Sequence, residues 1–132
     1  MITTTDTANI LYKACQVFGM PVFQGGNVPK GLIDEKGRIV IHIKEQTPEN
    51  IWKKGFVEVN LFAADTPNGN ADLIKLNELE RTAVKELKSV TGVSDGTTYR
   101  FTISSVSMMS NEDLKAHYIN VRLLFKVLNT ME

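Results

Sequence analysis

The chain has few of the features that usually indicate a chemistry or a compartment. It carries a single cysteine among 132 residues, which excludes an internal disulfide and a paired-cysteine zinc site. Lysine plus arginine and aspartate plus glutamate balance at 15 each, so the basic excess typical of nucleic-acid-binding proteins is missing. No apolar run approaches the roughly 20 residues that a membrane-spanning helix needs.

The rest of the composition is that of an ordinary globular protein. Apolar residues make up 42% of the chain and charged residues 23%, values that suit a domain with a core of its own. The polar start MITTTDTANI does not resemble a signal peptide. We therefore expect one domain over residues 1–132, made in a reducing cytoplasm and either kept there or carried out as part of a larger assembly.

Four segments alternate apolar and polar residues with the period of a β-strand. They are GRIVIHIKE (37–45), FVEVNLFAAD (56–65), TTYRFTISSVSMM (97–109) and HYINVRLLFKVLN (117–129). The last has the clearest pattern, because one of its two rows is wholly apolar: Ile119, Val121, Leu123, Phe125 and Val127. Its other row mixes apolar side chains with two cations and an amide.

Two segments have helical spacing. The first is predicted to be capped by Asp6 or Thr5 and to end at Gly19, and the second, over about 71–90, to be capped by Asn70. Short polar connections between the strands favour antiparallel pairing. The sequence therefore predicts an α+β domain of about four mostly antiparallel strands and two helices, with the long helix packed on one sheet face.

Candidates for catalysis are few and lack supporting patterns. Cys15 lies among apolar neighbours, where a buried thiol is the favoured role, and His42 and His117 have no spacing typical of metal ligands. Glu58 and Asp65 could form an acid–base pair, but a solvated or subunit-facing strand explains the first and a turn the second. We expect no catalytic residue, no metal and no cofactor. The alternative is a small cytoplasmic enzyme or ligand-binding domain that uses a cleft near His42, Glu58 and His117.

The strand rows opposite the cleanest apolar rows are the best candidate for a contact surface. When helices cover one face of a sheet, the other face is normally polar and exposed to solvent. These rows instead carry aromatic and leucine side chains. Two interpretations stay open: the second face meets another subunit, or each helix covers one face within the monomer. Under the first, the candidate subunit interface consists of Phe56, Phe62, Tyr118, Arg122, Leu124, Lys126 and Leu128.

Three stretches and the order of the elements point to a known family. The stretches are GFVEVNLFAAD (55–65), the helix NADLIKLNELERTAVKELKSV that follows a polar loop (70–90), and the closing strand HYINVRLLFKV (117–127). With the proline of GMPVF after the first helix, this arrangement resembles the phage tail-terminator and tail-completion proteins, also described as minor tail protein U-like. The resemblance spans residues 8–128.

The resemblance implies a structural role in the virion. Such proteins form a homo-oligomeric ring, commonly a hexamer, on the end of the tail tube, where they stop its polymerisation and join it to the head connector. The partners implied are other copies of the chain, the tail tube protein and the head connector protein, with neither a membrane nor tightly held nucleic acid. The family has no catalytic residues to transfer. Loops 24–38 and 64–70 are candidates to reach a neighbouring subunit or the tube.

Overall fold

The computed structural model of the protein describes residues 2–46, 54–94 and 96–128. Within them the chain forms two α-helices and six β-strands. Short 3₁₀ turns over Cys15–Phe18 and Glu112–Leu114 extend the first helix and join the last two strands. In chain order the elements are α1 (Thr4–Ala14), β1 (Val22–Gln24), β2 (Arg38–Gln46), β3 (Lys54–Ala64), α2 (Leu73–Leu87), β4 (Ser89–Ser94), β5 (Thr97–Asn111) and β6 (Ala116–Val127).

All six strands belong to one mixed sheet with the order β1-β2-β3-β6-β5-β4. β1 is parallel to β2, and every other neighbouring pair is antiparallel. The α+β class and the two helices are confirmed, but the prediction of about four strands was too low. β1 has only three residues, too few to show a period. The first residues of β4 fall within the predicted helix over about 71–90.

The helix boundaries differ from the predicted ones because other side chains cap them. Thr3 begins α1, since its hydroxyl accepts a hydrogen bond from the Asp6 N–H at 3.1 Å while the Asp6 carboxylate accepts from the Thr3 N–H at 3.0 Å. Asp72, and not Asn70, caps α2 by accepting from the Lys75 N–H. The left-handed Gly19, at φ 66°, ends the first helical segment as predicted.

Both helices pack on the same face of the sheet. Leu11 and Cys15 from the α1 segment and Leu76 and Leu87 from α2 share one buried cluster with the apolar rows of the central strands. This confirms the long helix on one sheet face and overturns the alternative in which each helix covers a different face. We call this side the helical face and the opposite side the outer face. Neither described helix is long and apolar enough to cross a bilayer.

Part of the outer face is covered by the loop between β1 and β2. Ile33 from this loop is buried against Val40 and Phe62, and its N–H donates to the carbonyl oxygen of Leu114 at 3.4 Å. Val28 packs against the same small cluster. The loop therefore folds back on its own sheet at the end that holds Phe62. The remainder of the outer face carries no helix or loop among the described residues.

Candidate functional site

The centre of the outer face is a pair of amides. Asn60 on β3 is in register with Asn120 on β6, and the Asn120 side-chain nitrogen donates to the Asn60 side-chain oxygen at 2.7 Å. Asn60 is only 7% exposed, so this bond satisfies a polar group that would otherwise be buried without a partner. The pair was missed in the sequence, where both residues appeared only as polar members of alternating rows. It adds a cross-strand side-chain bond to the pairing of the two central strands.

Next to the amides lies a charged cluster around Glu58. The Glu58 carboxylate has the cross-strand neighbours His42 on one side and Arg122 on the other, and it is 3.4 Å from the Lys44 ammonium. The Arg122 guanidinium carbon lies 4.1 Å from the centre of the Phe56 ring, which is a cation–π contact. Stacking on a ring uses the face of the guanidinium and not its N–H donors.

The outer face is basic although the whole chain is neutral. Among the outer-row side chains that the structure describes, Glu58 is the one acid, and the cations are Arg38, Lys44, Arg100, Arg122 and Lys126. Arg100 and Lys126 are directly opposite each other on β5 and β6, and both are exposed. Like charges in register destabilise a sheet, so packing does not explain this arrangement. The outer face therefore carries a local excess of positive charge.

The seven residues predicted as a subunit interface are all on or beside this surface, with one correction. Phe62 is 7% exposed because Ile33 covers it, so it belongs to the small loop-covered core and not to the surface. Tyr118 is half-buried and stacks on Phe62 with ring centres 4.5 Å apart. Phe56 and Leu124 are half-buried, while Arg122, Lys126 and Leu128 are exposed. Whether these residues meet another subunit remains a prediction.

The three groups proposed for an enzymatic or ligand-binding cleft do not converge. His42 and Glu58 are cross-strand neighbours on the outer face. His117 is in register with Ala63, so it lies on the helical face at the other end of β6, and its Nδ1 is 2.7 Å from Asp65 Oδ1. Asp65 thus has a partner that the predicted turn did not include. This separation removes the geometric basis for a single cleft that uses all three groups.

An open cleft of about 430 Å³ does lie beside His42. It is lined by the start of α1, by Gly25 and Gly26, and by β2 from Ile41 to Ile43. Among the described residues no group of three or more histidine, cysteine, aspartate or glutamate side chains could hold a metal ion. Cys15 is fully buried and burial raises its pKa to about 12, so its thiol stays protonated and unreactive near neutral pH.

The protonation of His42 makes a testable contribution to stability. Burial, and after it the nearby Lys44 cation, lowers the pKa of His42 below its usual 6.5, while Glu58 acts in the opposite direction. The unfolded chain therefore binds the proton more readily than the folded one does. As a consequence, the free energy of unfolding keeps its full value above pH 6.5 and falls as the pH drops through and below that value. We expect the free energy of unfolding, measured by urea denaturation from about pH 7 to about pH 5, to fall more in the wild type than in His42→Gln. Identical pH profiles for the two proteins would contradict this assignment.

Comparison with known proteins adds a likeness of fold. No protein-family model matches the chain, and no curated protein matches it. A solved protein structure, whose name states no function, is similar with a TM-score of 0.54, and the match covers 95% of this chain and 98% of that one. Sequence identity is 12%, so the likeness concerns the fold alone. The likeness of fold therefore extends over nearly the whole length of both chains.

Proposed function

We propose that the protein is a structural component of a phage or prophage virion, a tail-terminator or tail-completion protein that forms a ring at the end of the tail tube and joins it to the head connector. The proposal rests on the resemblance of residues 8–128 to that family. The observation that carries it is the outer face, where Phe56 and Leu124 are left partly uncovered beside Arg122, which stacks on Phe56. A mixed apolar and cationic surface of this kind is typical of a contact between subunits.

The proposed role is geometric and needs no chemistry. Each copy contacts the next through two different surfaces, and such heterologous contacts either close into a ring or run on as a filament. A ring on the tube end presents one side to the tube protein and the other to the head connector. The formal net charge of zero fits a ring through which DNA passes without being held tightly.

Light scattering on a size-exclusion column tests the proposal. We expect a discrete species of about six times the monomer mass to appear as concentration rises, and the series should be run at low and at high magnesium. Negative-stain images of that species should show rings with an open centre. A mass that stays monomeric across the whole series would contradict self-assembly, and a continuous distribution of larger masses would indicate filaments instead of a closed ring.

A further inference from the structure

The sheet has an unpaired stretch on each of its two edges. β4 pairs only with residues 97–102 of β5, so residues 104–111 bond to β6 on one side and to no described strand on the other. We call residues 104–111 the β5 free edge. On the opposite side of the sheet, β1 bonds to β2 and no described strand lies beyond it. Open edges of this kind have unpaired N–H and C=O groups that can accept a further strand.

The β5 free edge lacks charge and proline, two of the usual protections against strand addition, and its register with β6 is irregular only at its start, between Ile103 and Ser105. Its sequence, SSVSMMSN, contains no charged residue and no proline, and Met108 and Met109 are 47% and 46% exposed. Natural edge strands are normally blunted by lysine, proline or a bulge. The part of β2 that extends past β1 follows that rule, because it carries Lys44 and an irregular register between Ile43 and Gln46. The extension of β2 past β1 is thus protected, whereas β1 itself and the β5 free edge carry no charge.

Backbone geometry shows which groups point outward. On β2, the Ile39 N–H donates to Pro21 and the Ile41 carbonyl accepts from Gly25, so these two residues bond to β1. In antiparallel strands successive residues bond alternately to the two neighbours, and following this alternation across β3 and β6 leaves Val106 and Met108 bonding outward. On β1, residues 21 and 25 bond to β2, so the backbone N–H and C=O groups of Val22 and Gln24 point away from β2.

The two open edges lie at the same level of the sheet. A single cross-strand row runs from β1 to β5 through residues that share the outer face: Phe23, Val40, Asn60, Asn120 and Ser107. β5 runs antiparallel to β1, because three antiparallel pairings separate it from β2. A second copy set beside the first along this row would therefore bring its β1 against the β5 free edge in antiparallel orientation.

We propose that the β5 free edge pairs with β1 of a second copy and continues the sheet from one subunit to the next. In this arrangement Ser107 lies opposite Phe23, while Val106 faces Gln24 and Met108 faces Val22 as hydrogen-bonded pairs. Neither segment contains a charge, so the contact does not bury an unpaired ion. This inference rests on the proposed ring, for which it names a second contact between neighbouring copies in addition to the outer face: a different edge of each copy is used, as a closed ring requires.

Cysteine cross-linking tests the contact directly. Ser107 and Phe23 would form a non-hydrogen-bonded pair with Cα atoms about 4.5 Å apart, a spacing that a disulfide can bridge. We expect a mixture of Phe23→Cys and Ser107→Cys proteins to give a covalent dimer under mild oxidation, and Phe23→Cys mixed with Thr91→Cys, on the β4 edge, to give none. The native Cys15 is fully buried and does not compete.

A proline pair provides the second measurement. The Met108 N–H points away from β6, so Met108→Pro removes only an outward donor, whereas Met109→Pro removes a bond to β6. We expect Met108→Pro to keep a near-native unfolding midpoint and to lose assembly. Met109→Pro should lower the midpoint itself.

The possible outcomes distinguish a failure of the edge pairing from a failure of the ring proposal. Ring-sized particles without the Phe23–Ser107 cross-link, or undiminished assembly of Met108→Pro, would overturn the edge pairing and leave the ring in place. A cross-link of Ser107→Cys with itself would indicate a two-fold β5 contact and would also overturn the pairing with β1. A protein that remains monomeric at every concentration would overturn both the ring and the contact.

Discussion

Replacing Val121 by aspartate is expected to abolish folding. Val121 is fully buried on the helical face, in register with Val59 on β3 and Val106 on β5. A carboxylate there would be surrounded by apolar side chains, and burying an unpaired charge costs far more than the loss of a methyl group. We expect a loss of at least about 4 kcal/mol, a large part of the 5–15 kcal/mol that holds a typical domain together.

Lys126→Asp is the matched control, because it places the same residue on the exposed row of the same strand, beside Arg100. It should unfold at nearly the wild-type urea concentration, whereas Val121→Asp should be insoluble or show no cooperative transition. The measurement is circular dichroism during urea denaturation. Near-native stability of Val121→Asp would mean that the two rows of β6 are assigned to the wrong faces.

The central strands could be read from the sequence because their period is strong. In β6, Ile119, Val121, Leu123 and Phe125 are all fully buried, as the apolar row predicted. Alternation identifies a strand and its buried face, since a shift of one residue would turn the whole row to the other side. The same reasoning located β2, β3 and β5 correctly. An alternating pattern needs about five residues to be recognised, and β1 has only three.

The start of β4 was lost to a neighbouring pattern. Val90 falls at helical spacing after Leu87, so the apolar stripe of α2 appeared to continue over 88–90. In the structure α2 ends at Leu87 and β4 begins at Ser89, where pairing of Ser89 with Thr102 replaces helical bonds. Tertiary pairing thus decided a segment whose local pattern fits either structure. No residue near Lys88 indicates this stop in the sequence.

The outer face was only partly predictable because a loop decides which of its residues are exposed. Phe62 and Phe56 have the same alternation in β3, but Ile33 buries the first and leaves the second partly open. Ile33 is a single apolar residue among loop residues, and nothing in its local sequence shows which strand it covers. The hydrogen bond from Asn120 to Asn60 depends likewise on the pairing of β3 with β6, which sequence periodicity does not specify.

Leu124→Asp is expected to leave the fold intact and to prevent assembly. Leu124 is half-buried on the outer face, in register with Phe56 and Thr102. Two cations lie on the same face of the same strand, Arg122 two residues before it and Lys126 two residues after it. The new carboxylate would stay hydrated and lie near these cations, so we expect the free energy of unfolding to change by no more than about 1–2 kcal/mol. In the proposed ring the same carboxylate would be desolvated against the neighbouring subunit, which disfavours association.

Ile74→Asp is the control for the chemistry of the change, since Ile74 on α2 is 78% exposed and lies on the helical side, outside the predicted interface. Both variants should unfold cooperatively near the wild-type midpoint. Light scattering should then show the ring-sized species for Ile74→Asp and only monomer for Leu124→Asp. Loss of the folded monomer in Leu124→Asp would show that this row is part of the core, and unchanged assembly would place the subunit contact away from the outer face, leaving the sheet edges as the contact between copies.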